Sequence, residues 1–440
     1  MSRRQNGFLY LILLLSTVWI GCARELDETQ AGNGDEKESG WIGADSYEVG
    51  AIVESTVLQK LEGDWRDLAA DPALQQRLVD LQIKFLKSTA EAKGWRLNQL
   101  SETVEVLEMT ETDGSLSIRY RAVIDMLGRL SGDVPSLEKI RNAAFAAKVP
   151  VVPEGFDHDV MKECSQVDDG HSVRAYNFHY YFQPNQSACD LDLNTANVTV
   201  TEVFDRPRTY PEYDLLMQPL PEGGIGFTAA LVPNRGDKDP MSRFDAHAEM
   251  LEQDLGLRGT LSSDGTYRRY EWRRGEIVMM IDLFDPTKAG WGREGFEAGF
   301  RQRLKDYTLV HYNGHSSYGS KHLLDDPDAY SDAYQIIIMH SCQSFAYYTR
   351  QVFRGKATAS DPQGFAMADI VATGKSSYPS GAPRTLNVLL ESLMDSMVAI
   401  HKGLADEAVD WITIAEGMKK STWGDILYGV AGVRSNIWQP

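Results

Sequence analysis

Cysteine is scarce in this chain, with four in 440 residues (Cys22, Cys164, Cys189 and Cys342), and none of them forms a Cys-x-x-Cys pair. That excludes the paired-thiolate zinc and redox motifs, so His247-Ala248-Glu249, half of a zinc-deaminase pattern, reads as ordinary helix surface. Glycine-rich turns are missing where they would matter. Gly374-Lys375-Ser376 mimics the tail of a phosphate loop, but Asp369 stands where the first glycine of that loop belongs, which excludes nucleotide binding. There is no internal repeat, and beyond the apolar run from Phe8 to Ile20 no stretch is long and apolar enough to span a membrane. Positive charge is in deficit: 44 Lys and Arg against 63 Asp and Glu give a net charge of −19. A body so acidic repels nucleic acid and anionic lipid, and neither is expected as a partner.

What is present begins with an address. Arg3 and Arg4 precede the Phe8–Ile20 run of 13 residues, too short to cross a bilayer core, so residues 1–21 read as a secretory signal. Ile20-Gly21-Cys22 resembles a lipobox, with Cys22 as the acylated first mature residue, although Trp19 replaces the usual leucine. An ordinary signal peptide with an incidental cysteine is the other reading. Ala23 in the next position suggests an outer-membrane destination in a cell that has one. Loss of residues 1–21 removes Arg3 and Arg4 and no acids, so the charge becomes −19 − 2 = −21. The acidic, aperiodic residues 22–50 read as a solvated tether, and the expected partners are a membrane reached through the lipid anchor and a protein or peptide substrate. Composition does not speak to oligomeric state.

With 42% hydrophobic residues the remainder can build two cores. An α+β unit is expected over 51–221: a helical stretch over 54–100, a hairpin of strands at 104–109 and 115–127, a helix near 135–148 and a Tyr-rich strand near 173–183. Cys164 and Cys189 flank that last segment, and an exported setting permits a disulfide between them worth about 3 kcal/mol. The Pro-rich stretch 206–222 reads as the boundary. From 222 to 440 strands and helices alternate: strands at 224–233, 276–286, 308–312, 334–339 and 369–374, an edge strand at 268–272, and helices at 243–257, 296–307 and from Arg384. The pattern predicts an α/β fold with a mostly parallel sheet covered on both faces by helices.

Two of those strands end on reactive side chains. TLVHYNGHSSYG (308–319) delivers His315 and YQIIIMHSCQSF (334–345) delivers Cys342, each just beyond an apolar block. Cys342 is the cysteine left over once Cys22, Cys164 and Cys189 are assigned, and such a thiol is either buried and inert or reactive. A hydrophobic block followed by Gly-His, then a hydrophobic block followed by small-Cys, resembles the caspase and gingipain class of cysteine peptidases over about residues 222–400. The resemblance implies a caspase-like sheet and an endopeptidase with Cys342 as nucleophile and His315 as base. It also implies an oxyanion site from backbone NH groups of Cys342 and of the loop Gly314–Ser316, and no cofactor or metal. Ser316 departs from the glycine usual after the histidine, and 27 positions between His315 and Cys342 leave a crossover with little helix. By the same resemblance Gly374, Lys375 and Ser376 line the substrate pocket, where Lys375 would favour an acidic side chain if it did not face solvent. A fold of this kind kept as a surface binding scaffold without chemistry is the alternative. His311 and His340 suit core or supporting roles. A metal cluster of His311, His315, His322, His340 and Asp325 lacks the usual ligand pattern.

Overall fold

The computed structural model describes residues 40–60, 65–112, 114–167, 171–236, 238–288, 295–319, 323–434 and 436–440. All of them belong to one compact unit, Lys37–Pro440. The signal peptide, Cys22 and most of the predicted tether lie outside the described residues, as does His322. Among the described residues no helix is long and apolar enough to cross a membrane.

The first seven strands are β1 (Trp41–Gly43), β2 (Ser46–Lys60), β3 (Arg96–Leu97), β4 (Thr103–Thr112), β5 (Ser115–Arg129), β6 (Ala144–Pro150) and β7 (Leu193–Val203). Except for β1 they form an antiparallel sheet in the order β3-β5-β2-β7-β6, with β4 also paired to β5. The predicted hairpin is β4 and β5. Four other expectations fail. The tether does not run to 50, because β1 and the start of β2 are buried strands. Residues 54–60 are strand, not helix: Val53, Ser55 and Val57 point inward while Glu54 is exposed, a period of two. Among the described residues the helical segment begins with Trp65–Ala69, and it packs Leu78, Val79, Ile83, Phe85 and Leu86 onto the sheet. The predicted helix near 135–148 shrinks to Leu137–Ile140, because Ala144–Pro150 pairs along β7. The Tyr-rich segment is no strand either. It turns and forms the one-turn helix Phe178–Tyr181, and the Cys164–Cys189 disulfide closes its ends.

The remaining strands are β8 (Gln218–Pro219), β9 (Ile225–Pro233), β10 (Thr260–Leu261), β11 (Tyr267–Arg274), β12 (Ile277–Phe284), β13 (Leu309–Asn313), β14 (Gln335–His340), β15 (Ala368–Thr373) and β16 (Tyr428–Ala431). They form a sheet in the order β1-β16-β15-β14-β13-β9-β12-β11-β10. The five strands from β12 to β15 through β9 are mutually parallel, β16 and β11 flank them antiparallel, and β10 pairs antiparallel with β11 in turn. An α/β architecture with a mixed sheet is therefore established. Alternate residues of each central strand feed two cores. Leu309, Ile336 and Ile338 face the Ala382–His401 and Trp411–Lys420 helices, whereas Val310, Tyr312, Ile337 and Met339 face the Phe296–Asp306 and Ser344–Lys356 helices. Burial on both faces is why these strands read as unbroken apolar runs.

The boundary expected at 221/222 falls close to the division between the two sheets, with β8 (Gln218–Pro219) already paired to β9 of the second. β1 precedes the antiparallel sheet in the chain yet pairs with β16 of the other. Buried polar contacts also join the two halves directly, chiefly through the Ser344–Lys356 helix.

Candidate active site

From β9 the chain moves to β12 on one side and then to β13 on the other, so the strand order reverses between β9 and β13. At such a switch the loops leaving neighbouring carboxyl ends diverge and open a crevice. The last register pair of β13 and β14 is Asn313 with His340, and the Gly314 NH extends it by donating to the His340 carbonyl at 3.2 Å. His315 and Cys342 each follow that pair by two residues. His315 is exposed and Cys342, a free thiol, is half-buried.

Each turn is held in place. A side chain on Gly314 would collide with the Tyr312 hydroxyl and the Asn234 Cβ, so glycine is needed for close approach. The Tyr312 hydroxyl donates to the His315 carbonyl at 2.8 Å, and the Tyr348 hydroxyl donates to the Ser316 carbonyl at 2.9 Å. Positive φ falls at Ser317 (51°) and Tyr318 (59°) rather than at Ser316, so a glycine directly after the histidine is not required here. Among its described residues the crossover to β14 contains the short turns Ser317–Gly319 and Pro327–Ala329 and no longer helix. On the other side Gln343, at φ 52°, turns the chain sharply from β14 into the Ser344–Lys356 helix. Cys342 thus sits on a tight strand-to-helix turn, a geometry that exposes a nucleophile. The Gln343 NH donates to the Lys375 carbonyl at 2.9 Å, and the Cys342 thiol lies 3.5 Å from the Ser377 carbonyl.

One oxyanion expectation needs correction. The Gly314 NH is spent on His340, so it is not a free donor. Among the described residues the NH groups of Cys342 and Ser316 donate to no protein acceptor, and these two remain suitable.

A residue that sequence reasoning missed touches His315. Arg243, on the Ser242–Glu249 helix and buried, holds its Nη2 3.3 Å from His315 Nε2 while its Nη1 donates to the Asn234 and Arg235 carbonyls. Guanidinium can only donate, so Nε2 accepts and the other ring nitrogen carries the proton in the neutral imidazole. His247, expected on the helix surface, is fully buried. Its Nδ1 donates to the Arg243 carbonyl at 2.6 Å. Its ring stands 5.2 Å from that of His311, which stands 6.5 Å from that of His340. His340 donates through Nε2 to the Tyr378 carbonyl and accepts from the Tyr428 hydroxyl, each at 3.0 Å. Burial pushes His247 and His340 down to about 4 and His311 well below the usual value, so all three are neutral near pH 7. Among the described residues no group of three or more His, Cys, Asp or Glu is placed to hold a metal.

A cleft of about 390 Å³ opens beside the Cys342 turn. Its walls come from both halves of the molecule: Glu91, Arg96 and Tyr180 from the amino-terminal half, and Gln343, Lys375, Ser376, Tyr378 and Asp425 from the other. Lys375 and Ser376 line this cleft, whereas Gly374 lines a small crevice behind Gln343. Lys375 is not an unopposed cation. It pairs with Asp425, which also meets Arg129 at 2.8 Å. Burial alone would raise the Asp425 pKa, yet Lys375, Arg129 and Lys419 together hold it below the usual carboxylate range.

In comparisons with known proteins, the chain matches no family model, no curated protein and no solved structure.

Proposed function

We propose that this chain is an exported, lipid-anchored cysteine endopeptidase with a caspase-like α/β core, hydrolysing peptide bonds with Cys342 as nucleophile and His315 as general base. The observation that carries the reading is positional: a thiol and an imidazole follow the same register pair of two adjoining parallel strands, beside the point where strand order reverses. The turn at Gln343 and the cleft next to it are further support. In the reaction the Cys342 thiolate attacks the carbonyl carbon, and the oxyanion accepts from the NH groups of Cys342 and Ser316. The imidazolium of His315 then protonates the leaving amine as the C–N bond breaks, and water hydrolyses the acyl-enzyme. The lipid anchor rests on Ile20-Gly21-Cys22 alone.

A second reading, a binding scaffold without chemistry, is favoured by Arg243. A guanidinium on Nε2 occupies the lone pair a base would use. The test is the rate at which iodoacetamide labels Cys342 in the native protein. Activation by His315 predicts labelling well above that of the denatured chain, falling at least about tenfold in His315→Ala. It also predicts cleavage of a mixed peptide library, lost in Cys342→Ser. Equal labelling of native protein, His315→Ala and denatured chain would establish the scaffold.

A further inference from the structure

The face of the Ser344–Lys356 helix turned away from the parallel sheet is docked along its length on the amino-terminal half. The Gln343 Nε2 donates to Glu91 Oε1 at 3.0 Å at its start. The Gln99 NH donates to the Ala346 carbonyl at 3.0 Å, and Asn98 Nδ2 donates to Thr349 Oγ1 at 2.9 Å. Further along, Arg350 pairs with Asp125, both buried, and Arg354 Nη2 donates to the Ser101 carbonyl at 2.9 Å. Positions 343, 346, 350 and 354 fall on one stripe of a helix of 3.6 residues per turn. The helix that begins at the nucleophile turn is therefore seated by contacts from a part of the chain that carries no recognisable chemistry of its own.

The same half walls the cleft. Glu91 and Asp425 are its two lining carboxylates. Glu91 meets Lys87 at 2.9 Å and Arg96 at 3.9 Å; Asp425 meets Lys375 and Arg129. Of the charged residues lining the cleft, Arg96 and Lys375 face Glu91 and Asp425, and Lys87 and Arg129 reach the same two carboxylates from outside the lining, in a chain of net charge −19. Arg96 also donates to the Trp95 carbonyl at 2.8 Å, which fixes its direction.

We infer that the amino-terminal half is an integral wall of the Cys342 cleft, in which Arg96 determines specificity by drawing in carboxylate-bearing peptides and Glu91 is a positioning residue that holds Gln343. The inference deepens the peptidase reading, on which its substrate class rests, but not its test. Cys342 is alkylated with iodoacetate, which is anionic, and with iodoacetamide, its neutral counterpart, and the ratio of the two rates is compared between variants of the full chain. The ratio reports charge at the cleft whether or not His315 activates the thiol. Arg96→Ala and the longer Arg96→Gln are each expected to lower the ratio at least about threefold in low salt, with Arg119→Ala, on a hairpin that does not line the cleft, leaving it unchanged. Glu91→Ala is expected to slow the iodoacetamide rate. Glu91→Gln, which keeps an oxygen for Gln343, restores it. An unchanged ratio in both Arg96 variants, or equal iodoacetamide rates in wild type, Glu91→Ala and Glu91→Gln, would overturn the proposal.

Discussion

His311 lies within ring-contact distance of both His247 and His340 beneath the two reactive turns, and each of the three is neutral because burial penalises the charged form. In the unfolded chain a histidine takes up its proton near pH 6.5, whereas in the folded chain His247 and His340 resist until about 4. Between those values the unfolded state binds more protons, so stability is lost as pH falls through the window and regained as it rises. Each such histidine contributes up to about 1.4 kcal/mol per pH unit there. Urea unfolding from pH 7 to pH 4 is expected to show this loss, and His247→Leu to flatten the slope. An unchanged slope would mean that His247 is protonated in the fold. Burial of His311 and His340 was legible from their place inside apolar strand blocks. That of His247 was not, because its helix carries Arg243, Asp245 and Glu249 close by and reads as a wet face.

At the scale of elements, the carboxy-terminal sheet was readable because β12, β13, β14 and β15 are buried on both faces and show continuous apolar sequence. Both strand ends carrying His315 and Cys342 could be found for the same reason. The amino-terminal half was harder, since β2 mixes Val with Glu, Ser and Gln and its alternation appears only once partners on both sides are known. The docking of the Ser344–Lys356 helix on that half was invisible, because its partners Glu91, Asn98, Gln99 and Asp125 lie more than 200 positions away. Arg350 and Asp125 are the anchor of this contact. Glu102 also approaches Arg350, at 3.2 Å. In Asp125→Asn the Arg350 guanidinium keeps Glu102 but loses its buried charge-assisted bonds to Asp125, and the variant is expected to cost about 1.5–3 kcal/mol in denaturant unfolding. A change below about 0.5 kcal/mol, as for an exposed pair, would show that the contact is wet in solution.

At the scale of the whole molecule, three independent ties cross between the sheets. β1 leaves the parallel sheet and leads within three residues into β2 of the other, with the Trp41 NH donating to Glu48 at 2.8 Å. The Ser344–Lys356 helix carries the buried Arg350–Asp125 pair. The Tyr-rich segment between Cys164 and Cys189 brings the Tyr181 hydroxyl to 2.7 Å from that of Tyr318, and Tyr176 and Tyr180 stack on the same ring, so the loop after His315 rests on the amino-terminal half too. Separating the halves would exchange the hydrogen bonds at each tie for bonds to water, a net loss of about 0.5–1.5 kcal/mol for each bond. Neither half can leave the other without losing contacts beside both reactive turns, Gln343–Glu91 at one and Tyr318–Tyr181 at the other. Calorimetry of the full chain with its disulfide intact is therefore expected to give one endotherm, whose midpoint falls in Asp125→Asn without splitting. Two resolved endotherms in the wild type would mean that the halves fold as separate bodies, and that the cleft between them can come apart while Cys342 keeps its own sheet.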